Sequence, residues 1–194
     1  MKGWAILSHG LESGPQATKV SALATVAENL DWRTLRPDYR DLDVRGLADA
    51  AAPRLRRLLD AIDAIPAGQR VVLAGSSFGA FVSGLAACER TVAAVYLLAT
   101  PMRLPACPRP FALPAGLPAA LLHGWDDELC PAAEVLAFAR RERRTLTVVA
   151  DTHRLERHVD LAAHQFGLLL EQVGTSARCS PPARKGWNTC CATS

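Results

Sequence analysis

Short apolar runs alternate along the chain with longer stretches whose apolar positions recur at helical spacing. Runs at residues 4–7, 71–74, 92–99, 119–122 and 146–150, with a more polar candidate at 32–36, predict strands. Between them, Val20, Leu23, Ala27 and Leu30 share one helical face. Leu55, Leu58, Leu59, Ile62 and Ile65 share another, in a helix predicted to carry Pro53 in its first turn. Arg54, Arg56 and Arg57 then read as a solvated face. Further helices are predicted over 81–88, after Pro131, and through Val159, Ala162, Ala163, Phe166, Leu169, Leu170 and Val173. Residues 101–118 hold six prolines and exclude both a helix and a central strand. About six strands and six helices in strict alternation predict an α/β fold, a three-layer α/β/α sandwich of mainly parallel strands. The periodicity stops after residue 173, so residues 1–173 read as one domain and 174–194 as a disordered tail.

Composition adds exclusions. The 194 residues are 49% hydrophobic and 21% charged, which suits one folded domain and excludes a mostly disordered chain. No apolar run is long enough to span a bilayer. The net charge of +3 resides in Arg178, Arg184 and Lys185, and residues 1–173 balance to zero. A neutral body gives no support for nucleic acid or an anionic membrane as partner. Half of the six cysteines (Cys179, Cys190, Cys191) also lie in the tail. Cys88, Cys107 and Cys130 form no C-x-x-C pair and show no metal spacing with histidine. No metal and no cofactor are expected. Met1-Lys2-Gly3 and a four-residue apolar stretch do not make a secretory signal, so a cytoplasmic monomer or small homo-oligomer is expected.

In parallel α/β sheets, ligands bind beyond the carboxyl ends of the strands, so the residues just after each strand carry the chemistry. After 71–74 stands Gly75-Ser76-Ser77-Phe78-Gly79, a G-x-S-x-G in a strand, sharp turn and helix context. There Ser77 would stand proud of the sheet as a nucleophile, with Ser76 off the centre of the motif. A hydroxyl needs a base and an orienting acid. After 119–122 stands His123-Gly124-Trp125-Asp126-Asp127-Glu128-Leu129-Cys130-Pro131, and after 146–150 Asp151-Thr152-His153. The order Ser, acid, His is the one this motif requires. His153 is the predicted base, with His158 the alternative; His164 reads as an ordinary helix position. His9 and His123, each before a glycine, are expected to tie down loop backbone. Glu128 and Asp151 are expected to be surface or capping groups.

These loops resemble the α/β-hydrolase superfamily, and in compactness the small lidless esterases of the YqiA type. Ser8-His9-Gly10-Leu11-Glu12-Ser13 is similar to the family's oxyanion-hole loop, His123-Gly124-x-x-Asp127-x-x-x-Pro131 to its acid loop, and Asp151-Thr152-His153 to its histidine loop. The resemblance covers residues 2–173, beginning at the family's third strand. It implies Ser77 as nucleophile, His153 as base and Asp127 as acid, with Asp126 the nearest rival. It also implies an oxyanion hole from the backbone N–H groups of Leu11 and Phe78. The implied activity is hydrolysis of small carboxylic esters or thioesters through an acyl-enzyme on Ser77. A peptidase or amidase with the same triad and a non-catalytic binding module are the alternatives. No lid is expected: 101–118 walls one side of the site, and Met102, Leu104, Phe111 and Leu113 either line an acyl pocket or pack the loop down. A nucleotide site is disfavoured, because neither G-x-G-x-x-G nor a P-loop occurs.

Overall fold

The computed structural model describes residues 1–175 apart from Arg45 and Ala106. Six strands form one sheet: β1 (Gly3–Ser8), β2 (Trp32–Leu35), β3 (Val71–Ser76), β4 (Ala94–Leu98), β5 (Ala119–Gly124) and β6 (Thr145–Val149). Every neighbouring pair is parallel, in the order β2-β1-β3-β4-β5-β6. The helices are α1 (Thr18–Asn29), α2 (Arg40–Asp43), α3 (Leu47–Asp63), α4 (Phe78–Glu89), α5 (Ala132–Glu142) and α6 (Val159–Thr175).

Alternate strand residues feed two cores, because successive side chains leave a strand on opposite faces. Ile6, Leu73, Val95, Leu97 and Leu121 pack with α3, α4 and α5. Ala5, Leu7, Val72, Ala74, Tyr96, Leu98 and Leu122 pack with α1 and α6. Burial on both faces explains why the central strands read as continuous apolar runs. The strand order reverses between β1 and β3, so the loops after these two strands flank one crevice. Among the described residues no helix is long and apolar enough to cross a membrane.

The alternation is less regular than predicted. Among the described residues two helices, α2 and α3, separate β2 from β3, and none separates β4 from β5, where the proline-rich segment runs as a loop. Helix α3 begins at Leu47, so Pro53 lies inside it rather than in its first turn. The alanine-rich segment before the proline, with Ala50 and Ala51 buried, sustains the helix despite the lost N–H. Arg54 does not belong to a solvated face: it is 0% exposed. Helix α6 runs through Gly174 to Thr175, two residues past the expected domain end. The tail expected to be disordered otherwise lies outside the described residues.

Candidate active site

The loop after β3 bends sharply at Ser77, whose φ of 55° and ψ of −122° put a non-glycine residue in a conformation that costs roughly 1–3 kcal/mol. Two glycines make the bend possible. A Cβ on Gly75 would stand 2.5 Å from the Gly79 carbonyl, and one on Gly79 would stand 2.2 Å from the Ser8 carbonyl oxygen. Ser77 N–H donates to the Leu98 carbonyl at 2.8 Å, tying the bend to the end of β4. The chain then enters α4 at Phe78, whose N–H is among the helix-terminal amides left without a helical acceptor.

The loops after β5 and β6 are laced together. Trp125 and Asp126 N–H donate to the Val149 and Asp151 carbonyls at 2.8 and 3.0 Å. This brings Asp127, His153 and Ser77 into one hydrogen-bonded chain. His153 Nε2 lies 2.8 Å from Ser77 Oγ, and its Nδ1 lies 2.9 Å from both carboxylate oxygens of Asp127. The carboxylate must accept from Nδ1–H, which leaves Nε2 free to accept from the serine hydroxyl. Asp127 is buried, and Leu129 and Cys130 N–H also donate to its Oδ1, at 3.0 and 2.7 Å. Burial pushes this carboxyl up, but the hydrogen bonds from His153 and Cys130 outweigh it, and the carboxyl sits below its ordinary range.

The other sequence candidates fall elsewhere. Asp126 is exposed. Asp151 is buried and caps the histidine loop: its oxygens accept from Thr152 N–H, Arg157 N–H and His158 Nδ1 at 2.8, 3.0 and 2.9 Å. His158 is thus engaged by Asp151, while His153 reaches Ser77. Glu128 is exposed and accepts from His153 N–H at 3.4 Å. His123 Nε2 donates to the Cys130 carbonyl at 2.7 Å, holding the acid loop. His9 accepts from Tyr39 N–H at Nε2 (3.0 Å), so its hydrogen sits on Nδ1, which donates to the Gly10 carbonyl at 2.8 Å. Burial lowers the pKa of both imidazoles.

The cysteines and histidines show no metal spacing along the sequence, but one juxtaposition arises in space. Ligand atoms of Asp127, Cys130 and His153 lie within 4.8 Å of one another, the one such group among the described residues. The turn that lets Cys130 N–H cap Asp127 also brings its thiol there, and linear spacing cannot show that. A cation held there would compete with the His153 hydrogen bond to Asp127. Burial, helped by the Asp127 charge, pushes the Cys130 thiol up to about 12, so it stays protonated near neutrality.

Ser77 and His153 open into a cleft of about 850 Å³, also lined by Gly10, Leu11, Phe78, Leu104 and Leu129. Leu11 N–H donates to no acceptor among the described residues. Of the four apolar residues singled out in the proline-rich loop, Leu104 both lines the cleft and joins the buried core, whereas Phe111 and Leu113 belong to the core alone and Met102 packs against it. Lys19 also faces the cleft; burial lowers its pKa, and its Nζ donates to the Arg154 carbonyl.

A family model described as the alpha/beta hydrolase family matches residues 5–184. The chain belongs to the alpha/beta hydrolase family. A protein from Xanthomonas campestris pv. campestris, assigned to the alpha/beta hydrolase superfamily, is 42% identical, with a TM-score of 0.83 over 88% of this chain and 99% of its own. A lidless α/β serine hydrolase from Xanthomonas campestris superposes with a TM-score of 0.74 at 20% identity, covering 91% of this chain and 84% of its own. Est1E from Butyrivibrio proteoclasticus, solved with ferulic acid bound, superposes with a TM-score of 0.70 at 19% identity, covering 89% of this chain and 90% of its own. Among curated proteins no sequence matches the chain at a significant level.

Proposed function

We propose that this hydrolase is a cofactor-independent serine esterase, cleaving small carboxylic esters or thioesters through an acyl-enzyme on Ser77. The observation that carries the proposal is the unbroken hydrogen-bond chain from Ser77 Oγ through His153 to buried Asp127. In the first half-reaction Ser77 Oγ attacks the substrate carbonyl carbon while His153 Nε2 takes the hydroxyl proton. Asp127 holds the imidazole in that tautomer and stabilises the imidazolium. The tetrahedral oxyanion is met by Leu11 and Phe78 N–H, donors of a kind that each contribute about 3 kcal/mol to the transition state. On collapse, His153 returns the proton to the departing alcohol or thiol. Water then repeats the cycle on the acyl-enzyme, with His153 as base.

The cleft supports the substrate class. It is open, and the loop between β4 and β5 walls one side without covering it, which suits small or exposed esters. The ferulic acid bound to Est1E is consistent with a small carboxylic acyl group.

The test is turnover of p-nitrophenyl acetate and butyrate, with fluorophosphonate labelling, in the wild type and in Ser77→Ala. Wild-type turnover and labelling are expected, both lost in Ser77→Ala. A wild type that neither turns over esters nor labels would sink the esterase reading, and labelling that survives in Ser77→Ala would refute the nucleophile.

A further inference from the structure

Helix α3 sends one charged side chain into the core. Arg54 is 0% exposed, and its guanidinium lies 4.7 Å from the Tyr39 ring centroid and 4.4 Å from that of Phe78. An unpaired buried cation is costly, and here Asp43 at the end of α2 supplies a bidentate partner. Arg54 Nε donates to Asp43 Oδ1 at 2.6 Å and Nη2 to Asp43 Oδ2. The remaining donors point at the loop after β1: Nη1 to the His9 carbonyl at 2.8 Å and Nη2 to the Gly10 carbonyl at 3.1 Å.

The Gly10 carbonyl belongs to the same peptide unit as the Leu11 N–H. In a trans peptide these two groups point in opposite directions from a rigid plane. Whatever holds the carbonyl toward Arg54 therefore holds the N–H away from it. Leu11 lines the cleft beside Ser77, and its N–H has no acceptor among the described residues. Drawing electron density toward a carbonyl oxygen also makes the attached N–H a better donor. The same guanidinium stacks on Phe78, the residue whose N–H is the other oxyanion donor.

We infer that Arg54, oriented by Asp43, is a positioning residue that aims the Leu11 N–H into the cleft and so sets up the oxyanion hole. The inference rests on the esterase reading of the same site. It deepens that reading by assigning a role to a residue outside the strand-end loops. Arg54 touches no reacting atom; it acts through the Gly10–Leu11 peptide, whose carbonyl also accepts from His9 Nδ1 at 2.8 Å, and through its packing on Phe78. A misaimed donor weakens stabilisation of the tetrahedral oxyanion and leaves ground-state binding in place.

The experiment measures kcat and KM for p-nitrophenyl acetate, the affinity of a trifluoromethyl ketone, and the urea midpoint, in the wild type, Arg54→Met and Arg54→Lys. The ketone forms a tetrahedral adduct with the serine and reports on the oxyanion hole. In Arg54→Met, kcat is expected to fall roughly 10- to 100-fold, less than deleting a donor outright. KM should stay within about twofold, with ketone affinity falling in parallel with kcat. Arg54→Lys keeps the cation but has no planar fork to hold Asp43 and two carbonyls together, so it should also lose kcat. Three results overturn the inference: a folded Arg54→Met with wild-type kcat, a loss carried by KM alone, or failure of both variants to fold, which would make Arg54 a residue of the fold only. A wild type inactive on the ester and unlabelled at Ser77 is a different result, and it removes the esterase reading itself.

Discussion

Asp126 and Asp127 are chain neighbours in opposite surroundings. Asp127 is buried and takes hydrogen bonds from His153, Leu129 and Cys130, whereas the Asp126 side chain is exposed and only its N–H is engaged, by the Asp151 carbonyl. Asp127→Asn should therefore leave the fold in place and lower kcat by roughly 10⁴-fold, because an amide supports the wrong imidazole tautomer. Asp126→Asn should stay within about twofold of the wild type. Steady-state kinetics on p-nitrophenyl acetate with circular dichroism checks the pair, and a large loss in Asp126→Asn would reverse the assignment. At this scale the hydrogen-bonded grouping of Ser77, Asp127 and His153 was legible because each closely follows a strand in a motif that names its position. Arg54 was not, because charge alone suggested solvent. Its spacing held the missing signal: Ala50, Ala51, Arg54 and Leu58 recur at helical intervals, and the other three are buried. Asp43, the partner that makes the burial affordable, lies eleven residues away on another helix.

Where a helix would complete the α/β alternation after β4, prolines compel a loop that must find its own packing. Its anchor is Phe111, which is buried against α4 at Gly84 and lies 6.2 Å from Phe81 and 5.0 Å from Phe138 between ring centroids. A Cβ on Gly84 would stand 2.3 Å from the Phe111 ring, so the absence of a side chain there makes room for it. Phe111→Ala should lower unfolding stability by about 3–5 kcal/mol while the folded fraction keeps the wild-type KM for p-nitrophenyl acetate. Urea denaturation with kinetics checks this; a raised KM with unchanged stability would instead put Phe111 in the substrate pocket. The prolines made the loop legible in the sequence. Which of its apolar residues line the cleft and which pack inward depends on the three-dimensional position of Gly84, and no linear pattern shows that. Pro53 teaches the converse: its place inside α3 depends on an alanine-rich segment strong enough to run through it.

Whole-chain charge describes the molecule poorly, because the three cations of its net +3 lie outside the described residues and the groups that govern pH response are buried. His9 and His123 are both buried and both have lowered pKa values, chiefly through loss of hydration. In the unfolded chain these imidazoles begin to take protons below about pH 6.5, whereas the folded protein resists until a lower pH. The unfolded state then binds more protons, so stability falls with falling pH, by up to about 1.4 kcal/mol per pH unit for each histidine. Asp127 and Asp151 act with the same sign at lower pH. For each, hydrogen bonds, led by His153 on Asp127 and by His158 on Asp151, outweigh a burial effect that would raise the carboxyl. Their contribution is complete above the ordinary carboxylate range and is lost as pH drops through the lower folded values. Urea unfolding from pH 8 to pH 3 should thus show a decline setting in below about 6.5, well under the pI of 8.6, and steepening below about 4. A double variant, His9→Gln with His123→Gln, starts from a lower stability but should be nearly flat between pH 6.5 and 4.5. If the wild type is itself flat across that interval, the two buried imidazoles are not the groups that couple this fold to protons.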